Sequence, residues 1–252
     1  MIGDYLDFQS LVGITKHTGG RGATRELLSL CHVEAATEVL DVGCGIGVGP
    51  VDLARDHPGL RVVGIDRSER MLAWAHRRAR EHGVEGRVAL QAADVAALPF
   101  DDGRFDVSYA ESVLGFVVDK PRALAEMVRV TRPGGYVGIS ESIWTRALPP
   151  GVAQMASDMG VAVETPAAWQ ALCDAAGLVD VAVRLRRVER AAEVRNRLRW
   201  VGLPWALRGF ARTAQLYATR PEIRPALKSF FGPGLSVFDC TGYGLFVGRV
   251  PG

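Results

Sequence analysis

Three glycines and one aspartate are spaced as in a site for a nucleotide-type ligand. Gly43, Gly45 and Gly47 directly follow the strand-like segment 38–42, and Asp66 ends a second apolar segment. Glycine permits a positive φ and lacks the Cβ that would keep a ligand away from the backbone of the turn. An acid at the end of the next strand is placed to accept two hydrogen bonds from a ribose diol. The spacing therefore predicts a ribose-containing ligand at this turn.

Two common phosphate-binding motifs do not fit the same spacing. The dinucleotide fingerprint requires a glycine three residues after its second glycine, and Val48 and Pro50 occupy those positions after Gly45 and Gly47. A Walker-type loop requires a lysine followed by serine or threonine, and no such pair follows the glycines. For the glycine run taken alone, a tight turn between a strand and a helix remains the alternative.

Alternating strands and helices must bring these residues together. Short segments rich in β-branched residues alternate with helical patterns, and Pro50 and Pro121 are each placed to open a helix. This order predicts a Rossmann-like, doubly wound α/β fold, in which helices cover both faces of a mainly parallel seven-stranded sheet. The predicted strands are 38–42, 61–66, 87–92, 105–110, 136–140, 179–185 and 243–250.

Four motifs along the chain resemble those of a known family. They are Leu40-Asp41-Val42-Gly43-Cys44-Gly45-Ile46-Gly47, Gly64-Ile65-Asp66, Asp94-Val95 followed by Leu98-Pro99-Phe100 and Phe105-Asp106-Val107, and Arg132-Pro133-Gly134-Gly135. In this order they resemble the class I S-adenosylmethionine-dependent methyltransferases, particularly the branch of the ubiquinone and menaquinone biosynthesis methyltransferases. The resemblance covers roughly residues 36–142.

The resemblance implies S-adenosylmethionine as the cofactor and assigns roles to the first two motifs. The turn from Gly43 to Gly47, which includes Cys44, is expected to wrap the methionine part of the cofactor. Asp41 is expected just beneath the turn, near the ammonium group, and Asp66 is expected to bind both ribose hydroxyls.

The same resemblance assigns the adenosine and the methyl-transfer end to later residues. Asp94 is expected to accept from the adenine amino group, and the backbone N–H of Val95 is expected to reach the ring. Arg67 and Met71 are expected to flank the adenosine. Glu111, which directly follows the fourth strand, is expected where the methionine end of the cofactor meets the acceptor.

No residue has a firm catalytic role on sequence grounds. His17 belongs to the glycine-rich segment 15–24, which leads into a predicted helix over 25–31 and either lines the site or forms a flexible loop. A base is needed only if the acceptor enters protonated, and His17 and Glu111 are then the candidates. His17 suits this role near neutral pH because histidine has an unperturbed pKa of about 6.5. The candidate walls of the acceptor pocket are Trp144, Tyr217 and Tyr243.

The length of the insertion before the last strand indicates a helical lid. A content of 48% hydrophobic residues suffices for one substantial core, and the resemblance implies that this single domain, 1–252, is a methyltransferase domain. Its predicted parts are an N-terminal helical segment (1–35), the cofactor-binding core (36–186), a lid insertion rich in aromatic residues (187–235) and the final strand (236–252).

The lid is also strongly basic. Residues 184–228 contain twelve basic and three acidic residues, a net charge of +9, which leaves −7 for the rest of the chain. The alternatives are a solvated arginine-rich face, a surface for an anionic or lipophilic substrate, and peripheral membrane contact with Trp200 and Trp205 as anchors. Nucleic acid is not expected, because no recognisable binding motif accompanies the charge. The oligomeric state is not predicted.

The remaining composition favours a soluble cytoplasmic protein without metal. The N-terminus lacks a basic start, and no run approaches the length of a membrane span. The four cysteines form no C-x-x-C pair, so neither a metal site nor a disulfide framework is expected, and burial as small hydrophobes is predicted. A spatial cysteine cluster, as in arsenite methyltransferases, stays open.

The family resemblance and its cofactor imply methyl transfer to a small molecule by in-line displacement. Ala110-Glu111-Ser112-Val113 follows the fourth strand in place of the Asn-Pro-Pro-Tyr type of motif that methyltransferases acting on bases often carry. The alternatives are a fold relative that binds the same cofactor but catalyses a reaction such as cyclisation, and a non-catalytic binding module.

Overall fold

A computed structural model describes residues 5–13, 15, 17–146, 152, 154, 156, 160–188, 196, 200, 202–221, 224 and 240–252. The strands are β1 (Glu38–Val42), β2 (Arg61–Asp66), β3 (Val88–Ala92), β4 (Phe105–Glu111), β5 (Thr131–Trp144), β6 (Val179–Arg187) and β7 (Thr241–Arg249). The α-helices are α1 (Tyr5–Val12), α2 (Gly20–Leu30), α3 (Val48–Asp56), α4 (Glu69–Glu81), α5 (Lys120–Val130), α6 (Pro166–Ala175) and α7 (Leu203–Thr219). Short 3₁₀ turns cover Val33–Ala35 and Leu114–Phe116.

The seven strands form one sheet in the order β3-β2-β1-β4-β5-β7-β6. The first five strands of the chain pair in parallel, and β7 pairs antiparallel with β5 and β6. The strand order reverses between β1 and β4, which is where an open parallel sheet leaves a crevice at its carboxyl edge. The predicted fold class is confirmed.

Alternation along β1 explains why helices cover both faces of the sheet. Leu40 and Val42 face the apolar cluster that also contains residues of α5 and α6. Val39 faces a second cluster, which contains residues of α2 and α3. Because successive strand residues point to opposite faces, one short segment contributes to both cores and is almost wholly buried.

Several predicted boundaries differ from the structure. The predicted helix 25–31 begins five residues earlier, at Gly20, so part of the glycine-rich segment is helical. Helix α3 begins at Val48 rather than Pro50. The fifth strand extends to Trp144, well beyond the predicted 136–140, because β7 pairs with it along that length.

Helix α7 is the described helix of the predicted lid, and most of the remaining residues of 187–235 lie outside the described residues. Trp205 on α7 packs edge-on against Trp74 of α4, with ring centroids 5.9 Å apart. Trp200 and Trp205 are both buried, so the hypothesis that they anchor a membrane face is wrong. Among the described residues, no helix combines the length and apolar character needed to cross a bilayer.

Candidate cofactor and acceptor site

The glycine turn between β1 and α3 requires glycine for two physical reasons. Gly43, Gly45 and Gly47 have φ values of 73°, 54° and 76°, in the left-handed region that other residues avoid. A Cβ at Gly43 would also lie 2.4 Å from Cγ2 of Val113, and one at Gly47 would lie 2.8 Å from Cβ of Ala75. Close packing inside the protein therefore requires glycine at these positions, in addition to the ligand approach that the sequence predicts.

Asp66 joins the end of β2 to the glycine turn. Its carboxylate accepts hydrogen bonds from the backbone N–H of Gly45 at 3.0 Å and of Ser68 at 2.8 Å. Burial raises the pKa of Asp66, and these two N–H donors oppose that rise. A carboxylate has about four acceptor positions, so capacity remains for two hydroxyl donors. The predicted ribose-binding acid therefore has the capacity that its role requires.

Asp41 is the fourth of the five residues of β1 and lies just before the turn. The hydroxyl of Tyr109 donates to its Oδ2 at 2.7 Å, and both side chains are buried. Burial raises the pKa of Asp41 to about 7, against the opposing effect of the Tyr109 hydrogen bond. A Cβ on Gly49 would lie 2.6 Å from the same carboxylate oxygen, so α3 approaches β1 closely here.

The predicted adenosine-binding residues lie together at the ends of β2 and β3. Asp94 accepts from the backbone N–H of Ala96 at 2.8 Å, which tightens the loop after β3. Met71 and Val95 are buried apolar side chains, and Arg67 is exposed. Asp94 and these three residues all line one cavity.

His17 and Glu111 meet at the other end of the same cavity. Nε2 of His17 lies 3.2 Å from Oε1 of Glu111, a close approach without hydrogen-bond alignment. The hydroxyl of Thr24 donates to the other oxygen of Glu111 at 3.1 Å. Burial lowers the pKa of His17 to about 4 and raises the pKa of Glu111 well above its usual value. The ring of Trp200 lies 4.9 Å from the His17 ring.

Glu141 is a buried cavity residue to which the sequence analysis assigned no role. Its Oε1 accepts from the backbone N–H of Val113 at 2.8 Å and of Leu114 at 2.7 Å, which caps the 3₁₀ turn after β4. Burial raises the pKa of Glu141 to about 7. The one available signal was an acid inside the apolar run of β5, which the sequence analysis did not use.

The cavity at the carboxyl edge of the sheet has a volume of about 660 Å³. That volume lies within the usual range of small-molecule sites, roughly 300–1,000 Å³. It brings most of the predicted residues together, namely His17, Asp41, Gly43, Cys44, Gly45, Asp66, Arg67, Met71, Asp94, Val95, Glu111 and Trp144.

Three predicted residues lie outside the described lining of the cavity. Gly47 is the last residue of the turn and is buried directly before the first residue of α3. Tyr217 is 53% exposed on α7, where the guanidinium of Arg224 lies 4.9 Å from the centre of its ring. Tyr243 is partly buried on β7, and its ring would contact a Cβ added at Gly19.

The comparisons with known proteins agree with this geometry. Residues 40–139 match the family model described as a methyltransferase domain. The match covers about two fifths of the chain and shows that this segment is similar to methyltransferase domains. The matched residues include the glycine turn, Asp66, Asp94 and Glu111, so they contain the centre of the cavity.

Curated relatives of the methyltransferase domain share about half of the chain. Methyltransferase GfsG of Streptomyces halstedii is 37% identical over 124 residues, 49% of this chain and 44% of that protein. Phosphoethanolamine N-methyltransferase of Triticum aestivum is 35% identical over 126 residues, 49% of this chain and 24% of that protein. The chain therefore matches less than half the length of these curated relatives.

Solved structures show the same fold around the methyltransferase domain. The [4+2]-cyclase SpnF superposes with a TM-score of 0.75 at 22% identity, covering 98% of this chain and 97% of that chain. Phosphoethanolamine N-methyltransferase 2 of Haemonchus contortus, in complex with phosphomonomethylethanolamine and S-adenosylhomocysteine, superposes with a TM-score of 0.71 at 18% identity, covering 98% of this chain and 57% of that chain. At these identities the similarity shows the fold alone.

Proposed function

We propose that this protein transfers the methyl group of S-adenosylmethionine to a small-molecule acceptor. The proposal rests on one observation. The carboxylate of Asp66 accepts a hydrogen bond from the backbone N–H of Gly45, in the glycine turn that lines the cavity. The family model matches residues 40–139 only, and the proposal gives methyltransferase activity to the whole chain.

The residues of the cavity fit this cofactor in charge and shape. The free acceptor positions of Asp66 would hold the ribose hydroxyls, and Asp94 would accept from the adenine amino group. The buried side chains of Met71 and Val95 offer apolar contact to the adenine ring. Asp41 offers a buried carboxyl group to the ammonium group. When bound, S-adenosylmethionine supplies a sulfonium methyl group that is already activated.

The protein's own task at the other end is to hold the acceptor and to exclude water. The apolar and aromatic residues Val161, Trp144 and Trp200 line the cavity, and the ring of Trp200 lies 4.9 Å from the ring of His17. Holding the acceptor in line lowers the entropic part of the barrier, and an enclosed site excludes water as a competing nucleophile. His17 is neutral and stays our candidate base, and its lowered pKa of about 4 makes it a weaker base than a free imidazole.

The charge of the cavity favours a neutral or cationic acceptor. Its described lining contains seven carboxyl side chains and a single arginine, Arg67. An anionic acceptor would therefore find one cationic side chain in the described lining, in spite of the net +9 of residues 184–228. A lipophilic acceptor of the quinone-precursor type fits the apolar lining, and it remains the finer hypothesis within this proposal.

Titration calorimetry with S-adenosylmethionine and S-adenosylhomocysteine tests the cofactor assignment. Asp66→Ala should weaken binding about 100-fold, because two hydrogen bonds to a charged group are lost at roughly 1.5 kcal/mol or more each. Asp101→Ala removes an exposed acid elsewhere and should bind as the wild type does. Folded wild-type protein that binds neither ligand would refute the proposal.

A cyclase-like reaction on the same cofactor fold is the second candidate function. The observation that favours it is the superposition with SpnF over 98% of this chain. An acceptor screen read by mass spectrometry separates the two, because methylation adds one CH₂ unit to the acceptor and cyclisation leaves its mass unchanged. Conversion without any gain in mass would replace methyl transfer by the second function.

A further inference from the structure

Helix α7 exposes an unusually large apolar surface. Among the described residues, seven large hydrophobic side chains are exposed, and four of them belong to this helix. Leu203 is 65% exposed, Leu207 60%, Phe210 52% and Tyr217 53%. A single exposed leucine needs no explanation, whereas a contiguous apolar face indicates an interaction surface.

The spacing of these side chains places them on one side of the helix. Leu203, Leu207 and Phe210 follow one another at intervals of four and three, and Tyr217 lies seven residues further on. Residues at these intervals share one face of an α-helix. The outward stripe, defined as Leu203, Leu207, Phe210 and Tyr217, is therefore continuous along the helix.

The opposite side of α7 already attaches the helix to the fold. Trp205 is buried there, and Ala206 and Gly209 are buried along the flank of the helix. The indole N–H of Trp205 donates to Glu81 of α4 at 3.2 Å, and the guanidinium of Arg78 lies 4.1 Å from the centre of the indole ring. The outward stripe is therefore not needed to hold the helix in place.

Charge around the stripe identifies the kind of surface that it fits. Helix α7 contains no acidic residue. Its Arg208 is paired with Glu81 of α4 at 3.5 Å, whereas the guanidinium of Arg224 lies 4.9 Å from the ring centre of the stripe residue Tyr217. Arg220 and Arg224 follow at its C-terminal end, within the segment 184–228 of net charge +9. An apolar helix face accompanied by arginines matches an anionic lipid surface, where each cation contributes roughly 1 kcal/mol. Two copies facing each other would bring like charges together.

We propose that α7 lies flat on anionic membrane surfaces, with the outward stripe inserted among the lipid headgroups. Membrane attachment of this kind is peripheral, since the helix rests in the interface. The proposal does not depend on the methyltransferase function, because none of the four stripe residues lines the described cavity.

Vesicle flotation tests the proposal with phosphatidylcholine vesicles prepared with and without phosphatidylglycerol. Wild-type protein should float with the anionic vesicles, and high salt should weaken the binding. The double variant Leu207→Asp/Phe210→Asp should lose about tenfold or more in partitioning, because two apolar side chains no longer leave water. Tyr217→Asp provides a second, milder variant on the same stripe.

Leu185→Asp is the matched control, because Leu185 is 48% exposed on the edge strand β6, away from the stripe. It should bind vesicles as the wild type does. Circular dichroism and binding of S-adenosylhomocysteine report whether each variant is folded, so a failure of the proposed function is visible separately from a failure to bind lipid.

Three results would overturn the proposal. The first is equal flotation with neutral and anionic vesicles, and the second is wild-type binding by both stripe variants. The third is a wild-type dimer that the double variant dissociates in sedimentation analysis while vesicle binding is absent. That last result would assign the stripe to a second copy of this chain.

Discussion

Nε2 of His17 lies 3.2 Å from Oε1 of Glu111, which joins the N-terminal segment to the end of β4 inside the cavity. Both side chains are buried, and the hydroxyl of Thr24 on α2 donates to Glu111. Burial disfavours charge on each partner. We therefore expect a pair in which both groups are neutral at physiological pH.

His17 should stay uncharged down to about pH 5. Burial lowers its pKa from 6.5 to about 4, so the native protein binds fewer protons here than the unfolded chain between those values. This group's contribution to stability is complete above pH 6.5 and is lost as the pH falls towards 4. NMR titration of ¹³C-labelled histidine, with His17→Gln to assign the resonance, measures the transition directly. Titration of that resonance near pH 7 would show an ion pair instead.

Asp41 should make the protein less stable as the pH rises. Its pKa is raised from 3.8 to about 7, so the native state retains a proton that the unfolded state releases across this window. Asp41→Asn keeps an acceptor for Tyr109 and removes the ionisation. The free energy of unfolding of the variant, relative to wild type, should therefore rise by roughly 2–4 kcal/mol between pH 4 and pH 8.

Urea unfolding at a series of pH values measures this difference. Asp101→Asn is the control, because Asp101 is exposed, and its difference from wild type should not change with pH. A pH-independent difference for Asp41→Asn would mean that Asp41 is ionised in the native protein.

Gly49→Ala should destabilise the protein by about 1–3 kcal/mol. The new Cβ would lie 2.6 Å from Oδ2 of Asp41 and 3.0 Å from the hydroxyl of Tyr109, so this buried hydrogen-bonded pair must move. Gly22→Ala is the matched control, because Gly22 is also near the start of a helix and its Cβ would meet nothing within 4 Å. In thermal unfolding, the melting temperature of Gly22→Ala should equal or exceed that of the wild type. Equal melting temperatures for the two variants would contradict the close approach of Gly49 to Asp41.

Trp205→Ala should release α7 from the body of the protein at a cost of about 3–5 kcal/mol. Trp205→Phe retains most of the buried area and loses the hydrogen bond to Glu81, so it should cost about 1 kcal/mol. Limited trypsin digestion at the arginines of α7 measures the release, with Phe210→Ala on the exposed side as the control. Equal cleavage rates for Trp205→Ala and wild type would show that other contacts hold the helix.

Elements with a strong local pattern were predictable from the sequence. The predicted bounds of β2, 61–66, match the structure because a β-branched run ends in an acid and a helix follows at once. Asp66, Met71 and Asp94 line one cavity for a related reason: parallel strands bring their carboxyl ends to the same edge. The chain order of strands and helices was sufficient for both predictions.

Features that depend on contacts between distant residues were not predictable. The sequence pattern did not show that Glu141 of β5 caps the turn after β4, or that Tyr109 donates to Asp41. One alternative made Trp200 and Trp205 surface anchors, and both are buried, because composition does not reveal which side of a helix packs inward.

The sequence by itself therefore determined the alternation of strands and helices along the chain, the glycine turn and the family resemblance, since each rests on neighbouring residues. The tertiary structure alone decided which polar groups are buried and in contact. Burial sets the pKa values of His17, Asp41 and Glu111, and packing turns the apolar stripe of α7 outward. Both depend on solvent exclusion by residues far apart in the chain, which no local pattern records.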